Sequence, residues 1–226
     1  MRNTDKAPKY KTLILEKALV LFLDKGYIKT TTKQIAHAAG INEGLLYYYY
    51  NKKEDIFCDL YVGFLRGLAG YINFHSDPDD SSWTRLTLMN LMFYKIWTED
   101  ARLFRLLLDT FSNHKLQQIY IELSMAFCVP MIQETKNNLS QRQMRIAFTI
   151  FIGAATQLIY NIAEKKLDMD IEEFSVITET ILFEMLGLKE LEIDRIISNA
   201  LLKIVAYDIK TAIDFLKEYH PWHVLH

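Results

Sequence analysis

Glycine and proline are scarce in this chain, with 8 and 4 among 226 residues. Strand-and-turn folds spend more of both, and Leu, Ile, Ala, Glu and Lys are plentiful, so the balance leans to helix throughout. Cysteine is scarcer still. Cys58 and Cys128 stand far apart without the spacing of a metal site, which reads as two reduced thiols in a cytoplasmic protein rather than a disulfide scaffold. No basic and apolar leader with a small-residue cleavage site opens the sequence. The most apolar run, "IAFTIFIGAATQLIY" (146–160), is read as too short to span a bilayer and contains Thr and Gln. There is no glycine-rich phosphate loop, no Ser or Cys nucleophile in a recognisable setting and no paired-carboxylate motif. "HPWHVLH" sets His220, His223 and His226 at steps of three. That spacing could make a metal face, but its position fits a loosely ordered tail better. These absences predict a protein that is not an enzyme and needs neither metal nor cofactor.

What the chain does have is apolar bulk and lopsided charge. Half of its residues are hydrophobic, enough for a large core in one domain or a small domain joined to a larger one. The net charge of −2 hides an asymmetry. Residues 1–55 carry ten basic side chains against six acidic ones, leaving sixteen basic and twenty-two acidic for the rest. A basic end on an acidic body fits a DNA-binding domain attached to something else.

Local pattern agrees. "YKTLILEKALVLFLDKGY" places Ile14, Ala18, Leu21 and Phe22 on one helical face, with Gly26 as a stop. Thr31 followed three residues later by Gln34 matches a capping box. Gly40 permits a sharp turn, and Asn42 caps a short helix from Glu43 to Tyr50. A longer helix starts at Lys53. Two short helices joined by a glycine turn and packed on a longer one make a helix-turn-helix unit. The second short helix contains "YYYY" (47–50) followed by two lysines. Successive helical residues step by about 100°, so four tyrosines cannot all face the core. Tyr50 shares a face with Leu46 and is read as core. Phenols beside lysines suit a phosphate backbone, since hydroxyl and ammonium both donate to anionic oxygens.

The stretch "GYIKTTTKQIAHAAGINEGLLYYYYNKKEDIF" (26–57) resembles the N-terminal domain of the TetR family of transcriptional regulators. The likeness rests on Gly26-Tyr27, the Thr31 cap, Ile35-Ala36, Ala39-Gly40-Ile41, Gly44, Leu46-Tyr47, Tyr50 and Lys53-Glu54, spread over residues 13–60. Asn42 stands for the commoner Ser cap, Tyr50 for Phe, and Leu45 for a small residue or Thr. The resemblance implies an all-α protein. A three-helix DNA-binding domain occupies residues 1–55, and a larger helical effector-binding and dimerisation domain occupies 56–226. It implies that Tyr47 donates to a phosphate, with Tyr48 and Tyr49 lining the groove or its wall. Lys53 meets a phosphate at the next helix N-terminus through its ammonium and the free N–H groups there, and Thr31 and Thr32 can do likewise. Base contacts fall to Asn42, Glu43, Leu45 and Tyr49, with Lys33 reaching from the preceding helix. Asn42 has an alternative role as pure cap.

Beyond Asp59 the sequence stays helical. "SDPDDSS" (76–82) is a loop, Pro130 is expected to kink its helix, and "KLDMD" joins an antiparallel pair of helices, 141–165 and 170–186. The stretch from Leu188 to Tyr219 reads as one long amphipathic helix. By resemblance, the antiparallel pair forms a homodimer through Gly153, Ala154, Phe174, Ile177 and Ile181, although the small residues could instead pack inside one protomer. Trp83, Asn90, Phe93, Trp97, Phe104, Phe111, Gln117, Phe127, Thr149 and Gln157 are candidates for an effector cavity, and each fits a packed core equally well. Their few charges favour an apolar or aromatic small molecule. The resulting expectation is a ligand-responsive repressor on a palindromic operator in double-stranded DNA, cytoplasmic and without membrane contact. A DNA-binding regulator lacking an effector and a helical small-molecule enzyme or scavenger are the alternatives.

Overall fold

The computed structural model describes residues 6–134, 139–218 and 222. Within them the chain forms eleven α-helices and no strand. These are α1 (Lys6–Lys25), α2 (Thr32–Ala38), α3 (Glu43–Tyr49), α4 (Lys53–His75), α5 (Ser82–Glu99), α6 (Ala101–Ser112), α7 (His114–Glu134), α8 (Gln141–Ala163), α9 (Ile171–Met185), α10 (Glu190–Ile204) and α11 (Ile209–Lys217). All-α architecture with an N-terminal helix-turn-helix is therefore observed.

The helix boundaries have identifiable chemistry. Gly26, Gly40 and Gly187 sit at positive φ just past α1, α2 and α9, where a Cβ would strain the backbone. At Gly26 an added Cβ would also meet Asp109 Oδ2 at 2.7 Å. Thr31 and Ser140 build capping boxes with Gln34 and Gln143. Asp100 ends α5 and caps α6 by accepting from Arg102 N at 2.6 Å, so the segment 82–112 is two helices. Lys203 on α10 donates to Asp77 and Asp80, holding the loop between α4 and α5.

Helix α1 packs on α2, α4 and α6, while α5 lies at the centre of the body between α4, α6, α9 and α10. One continuous apolar core runs from Ile14 through Phe64 and Phe93 to Phe183. The aromatic residues meet mostly edge to tilted face, as at Phe64–Trp97 and Tyr94–Phe174.

Three sequence expectations are corrected. The long helix after Gly187 is broken into α10 and α11. Asp208 caps α11 by accepting from Thr211 N at 2.7 Å, and its own carbonyl accepts from the Tyr71 hydroxyl. The break turns Tyr207 towards Tyr71 and His75, which a straight helix could not do. Trp222 is no loose tail residue. It is 1% exposed, packs on Phe64 and Trp97, and donates from Nε1 to Leu60 O. His220, His223 and His226 lie outside the described residues. Finally, α8 is longer than the apolar run quoted from it. By length and hydropathy it would suffice to cross a bilayer, and only 33% of its most apolar window is buried. Ile146 and Ile150 are exposed along it.

Candidate nucleic-acid interface and effector cavity

Two turns of chemistry aim α3 outwards. Ile41 N donates to Ala36 O and Gly40 N to His37 O, closing α2 before the chain reverses. Asn42 then caps α3, its Oδ1 accepting from Leu45 N at 2.8 Å. Leu46 and Tyr50 face inwards, 0% and 4% exposed, and lock the helix to the domain core. Burial and the neighbouring Asp59, which accepts from the phenol at 3.0 Å, push the Tyr50 pKa well up, so it stays neutral. The opposite face of α3 is open.

On that face Tyr47 is 46% and Tyr48 79% exposed. Glu43 and Gly44 are exposed, Leu45 and Tyr49 half-buried. Tyr49 packs edge-on against Tyr48, with ring centroids 5.1 Å apart, and so serves as a wall rather than a reaching group. The Tyr47 hydroxyl lies 3.1 Å from Thr32 Oγ1, which ties the start of α2 to the middle of α3. Thr31 and Lys33 are exposed beside them. Thr31, Thr32, Lys33, Asn42, Glu43, Leu45, Tyr47, Tyr48 and Tyr49 thus all belong to the α2–α3 unit, although the Asn42 amide oxygen is already used as a cap.

Lys53 departs from expectation. Its Nζ does not point to solvent but donates to Tyr27 O and Thr30 O, each at 2.7 Å, and sits 4.0 Å from the centre of the Tyr27 ring. Burial lowers its pKa. The ammonium is a bolt between α4 and the turn that follows α1. What remains for an anion there is the third N–H of the ammonium and the backbone N–H groups at the start of α4.

A second feature lies in the body. Residues of α4, α5, α7, α8 and α9 enclose a cavity of about 30 Å³, against which Tyr61, Asn90, Phe93, Tyr120, Phe127 and Cys128 all lie. That space holds a water or two. It adjoins a cleft of about 220 Å³ between α4, α5 and α7, and Leu86, Met89 and Phe127 belong to both. Of the residues the sequence offers for a cavity, Asn90, Phe93 and Phe127 line this space. The other candidates do not. Trp83 packs on Phe183, Trp97 is buried between Phe64, Phe93 and Trp222, and Phe111 packs on Tyr120. Phe104 is half-buried against the core. Gln117 donates to Phe111 O. Thr149 and Gln157 are exposed on α8, bonded to Arg145 O and Asn161. Each fits the apolar or polar profile of a pocket, but helical phase turns it elsewhere.

Sequence reasoning missed the polar floor beneath this cavity. Glu179 on α9 is 1% exposed, and burial pushes its carboxyl up to about 7. Thr87 and Asn90 approach closely enough to restrain that rise, yet neither completes a hydrogen bond of normal geometry to either carboxyl oxygen. The signal was present: Glu179 shares a helical face with Ser175, Leu182 and Phe183, an acid among core positions.

On the outer face of α8 and α9, Gly153 is exposed with open space over its Cα, and Ala154, Ile177 and Ile181 are half-exposed. Phe174 is 0% exposed and packs on Tyr94 at 4.8 Å, so it belongs to the protomer core and not to that face.

The family described as "Bacterial regulatory proteins, tetR family" matches residues 14–60. The HTH-type transcriptional repressor KstR2 of Rhodococcus jostii is 40% identical over 60 residues, which is 26% of this chain and only 29% of that repressor. Among solved structures, the Thermus thermophilus TetR-family repressor FadR, in complex with lauroyl-CoA, superposes with a TM-score of 0.56 at 20% identity. The superposition covers 80% of this chain and 96% of FadR. SmeT, repressor of a Stenotrophomonas maltophilia multidrug efflux pump, gives 0.49 at 16% identity over 77% of this chain and 88% of its own. Residues 14–60 are thus an amino-terminal domain of the TetR family of bacterial regulatory proteins, and the helical body behind them shares the fold of a TetR-family repressor.

Proposed function

We propose that the protein is a ligand-responsive, DNA-binding transcriptional regulator, a repressor released from a palindromic operator by a small apolar effector. One observation carries this most: the outer face of α3, capped, braced from α2 and anchored by two fully inward residues, presents polar and phenolic groups to solvent. Such a helix fits a major groove. Tyr47, Thr32 and the N–H groups of α4 meet phosphates, and Lys33, Glu43 and Leu45 reach base edges. Residues 1–55 act as the DNA-binding unit and 56–226 as the effector and dimerisation unit, with α4 continuous between them.

The protein acts as a homodimer. Ile146, Ile150 and Gly153 leave an apolar strip on α8, beside half-exposed Ile177 and Ile181. A second copy packed there buries the strip, and the open space over Gly153 lets helices approach closely. This use of α8 requires no bilayer and keeps the protein in the cytoplasm. Two recognition helices one DNA turn apart, about 34–36 Å, then read successive major grooves. Effector binding favours a state with a different spacing, which requires unequal affinity for the two states. The fold can hold a long-chain ligand, as FadR does with lauroyl-CoA.

Selection of sheared genomic DNA on the purified protein at near-physiological salt, followed by sequencing, tests the reading. Enrichment of one palindrome supports it. Random fragments whose affinity vanishes as salt rises would reduce it to phosphate attraction alone. A second reading draws on the small cavity, whose 30 Å³ suits a packed core without effector. Ligand-dependent melting separates the two.

A further inference from the structure

Three buried polar side chains beside the cavity complete no hydrogen bond of normal geometry, although Thr87 and Asn90 approach Glu179 and Tyr120 approaches Tyr94. The atoms concerned are both carboxyl oxygens of Glu179, the Thr87 hydroxyl and the Tyr94 hydroxyl. Folded proteins leave few such groups unpaired, and each typically costs about 1–3 kcal/mol. Here the three gather in one place, since Glu179 perturbs Tyr94 and is itself approached by Thr87 and Asn90. The other titratable groups facing the acid are Tyr120 and Cys128 of α7. Neither is basic, so the carboxyl has no countercharge among the described residues around it. Asn90 both lines the cavity and faces the carboxyl, so one half-buried amide is all that stands between the space and the acid on that side.

We propose that Glu179, with Thr87 and Tyr94, is the polar anchor of the effector site and selects an apolar molecule ending in an amine. This rests on the effector reading above. The count of donors decides the head group. Two orphaned oxygens on one carboxylate need at least two donors, which an ammonium supplies with a third left over for Thr87 or Tyr94. A hydroxyl supplies one. A carboxylate or phosphate head supplies none and meets a like charge. The apolar body of the ligand fills the wall formed by Phe93, Phe127, Phe148 and Phe151 and extends towards the α4–α5–α7 cleft. The cation at that cleft, Arg85, donates from Nη2 to the carbonyls of Asp77 and Pro78 and keeps a buried Nε without a partner, and a carboxylate head seated there instead is what decanoate detects.

The test is calorimetric titration of the full chain with decylamine, decanol and decanoate below their micellar concentrations, repeated with Glu179→Gln and Glu179→Met. Decylamine should bind at least tenfold more tightly than the other two. Glu179→Gln and Glu179→Met should erase that preference while decanol affinity changes by less than about threefold. Decanoate binding as tightly as decylamine, or a preference that survives both substitutions, overturns the proposal and leaves an effector site of other chemistry. Binding of none of the three also overturns it. In that case recovery of one palindrome in the DNA selection still upholds the regulator, so the two failures are told apart.

Discussion

At the scale of single residues, Lys53 and Glu179 show what a one-dimensional pattern conceals. A lysine after a tyrosine run and at a helix start reads as a phosphate ligand. In the fold its ammonium is taken up by two carbonyls contributed from residues 26 and 23 positions away. Lys53→Met should therefore lower stability by about 2 kcal/mol, the range of hydrogen bonds to charged groups, as read by urea denaturation. Tyr47→Phe gives up only the exposed bond to Thr32, so it should lower stability by less than about 1 kcal/mol and weaken operator binding severalfold. Equal loss of stability in both variants would refute this division of labour. Glu179 gives a pH signature. Its folded pKa of about 7 lies above its ordinary value of 4.5, so the folded state holds the proton longer than the unfolded chain. Stability from this group is complete below pH 4.5 and is lost as pH rises through 7. The loss amounts to about 3 kcal/mol by linkage. Glu179→Gln should flatten that slope and stand above the parent protein at pH 8. An unchanged pH profile would show that the carboxyl is ionised or hydrated in solution. Tyr50 was legible from sequence because its partner Leu46 lies four residues away. Lys53 was not, because its partners come from another helix end.

At the scale of elements, boundaries set by local chemistry were readable and those set by distant contacts were not. The Thr31 box, the Asn42 cap and the stops at Gly26, Gly40 and Gly187 all use neighbours within four residues. The break between α10 and α11 has a local signal too, the Asp208 cap on Thr211, but an apolar repeat continuing through Val205 masks it, and the Tyr71–Asp208 bond that reinforces it spans 137 residues. The cavity candidates failed for a related reason: aromatic side chains at helical spacing are chosen for pocket or core by which neighbour covers them. Two outcomes belong here. Asn42→Ala should cost about 1 kcal/mol through the lost cap and weaken DNA binding by fraying the start of α3. Thermal melting and operator titration measure the two. Ile150→Glu on the open strip of α8 should leave the protomer folded, because that side chain is already 46% exposed. It should shift sedimentation from dimer to monomer. A dimer that persists would move the interface to another face.

At the scale of the whole molecule, the DNA-binding unit is tied to the body at points other than α4. Arg105 on α6 donates to Leu23 O, and Ile28 N donates to Asp109 on the same helix. Lys115 on α7 reaches Glu54 at the start of α4. On the proposed effector reading, a signal from the cavity walls has α6 and α7 as well as α4 through which to reach α3. Arg105→Ala should keep ligand-free operator affinity within about threefold yet weaken the release caused by effector, since coupling is a free energy shared by both sites. Full release in that variant would leave α4 as the sole route. One further consequence concerns light. The chain has three tryptophans, and two of them, Trp97 and Trp222, clasp Phe64 on α4. The Trp222 indole is bonded to Leu60 O, while that of Trp97 has no partner. A displacement of α4 therefore changes the polarity around two indoles at once. The two indoles are an unlabelled fluorophore pair packed against α4, and on the proposed effector reading a red shift in emission on adding effector would report movement of that helix in real time.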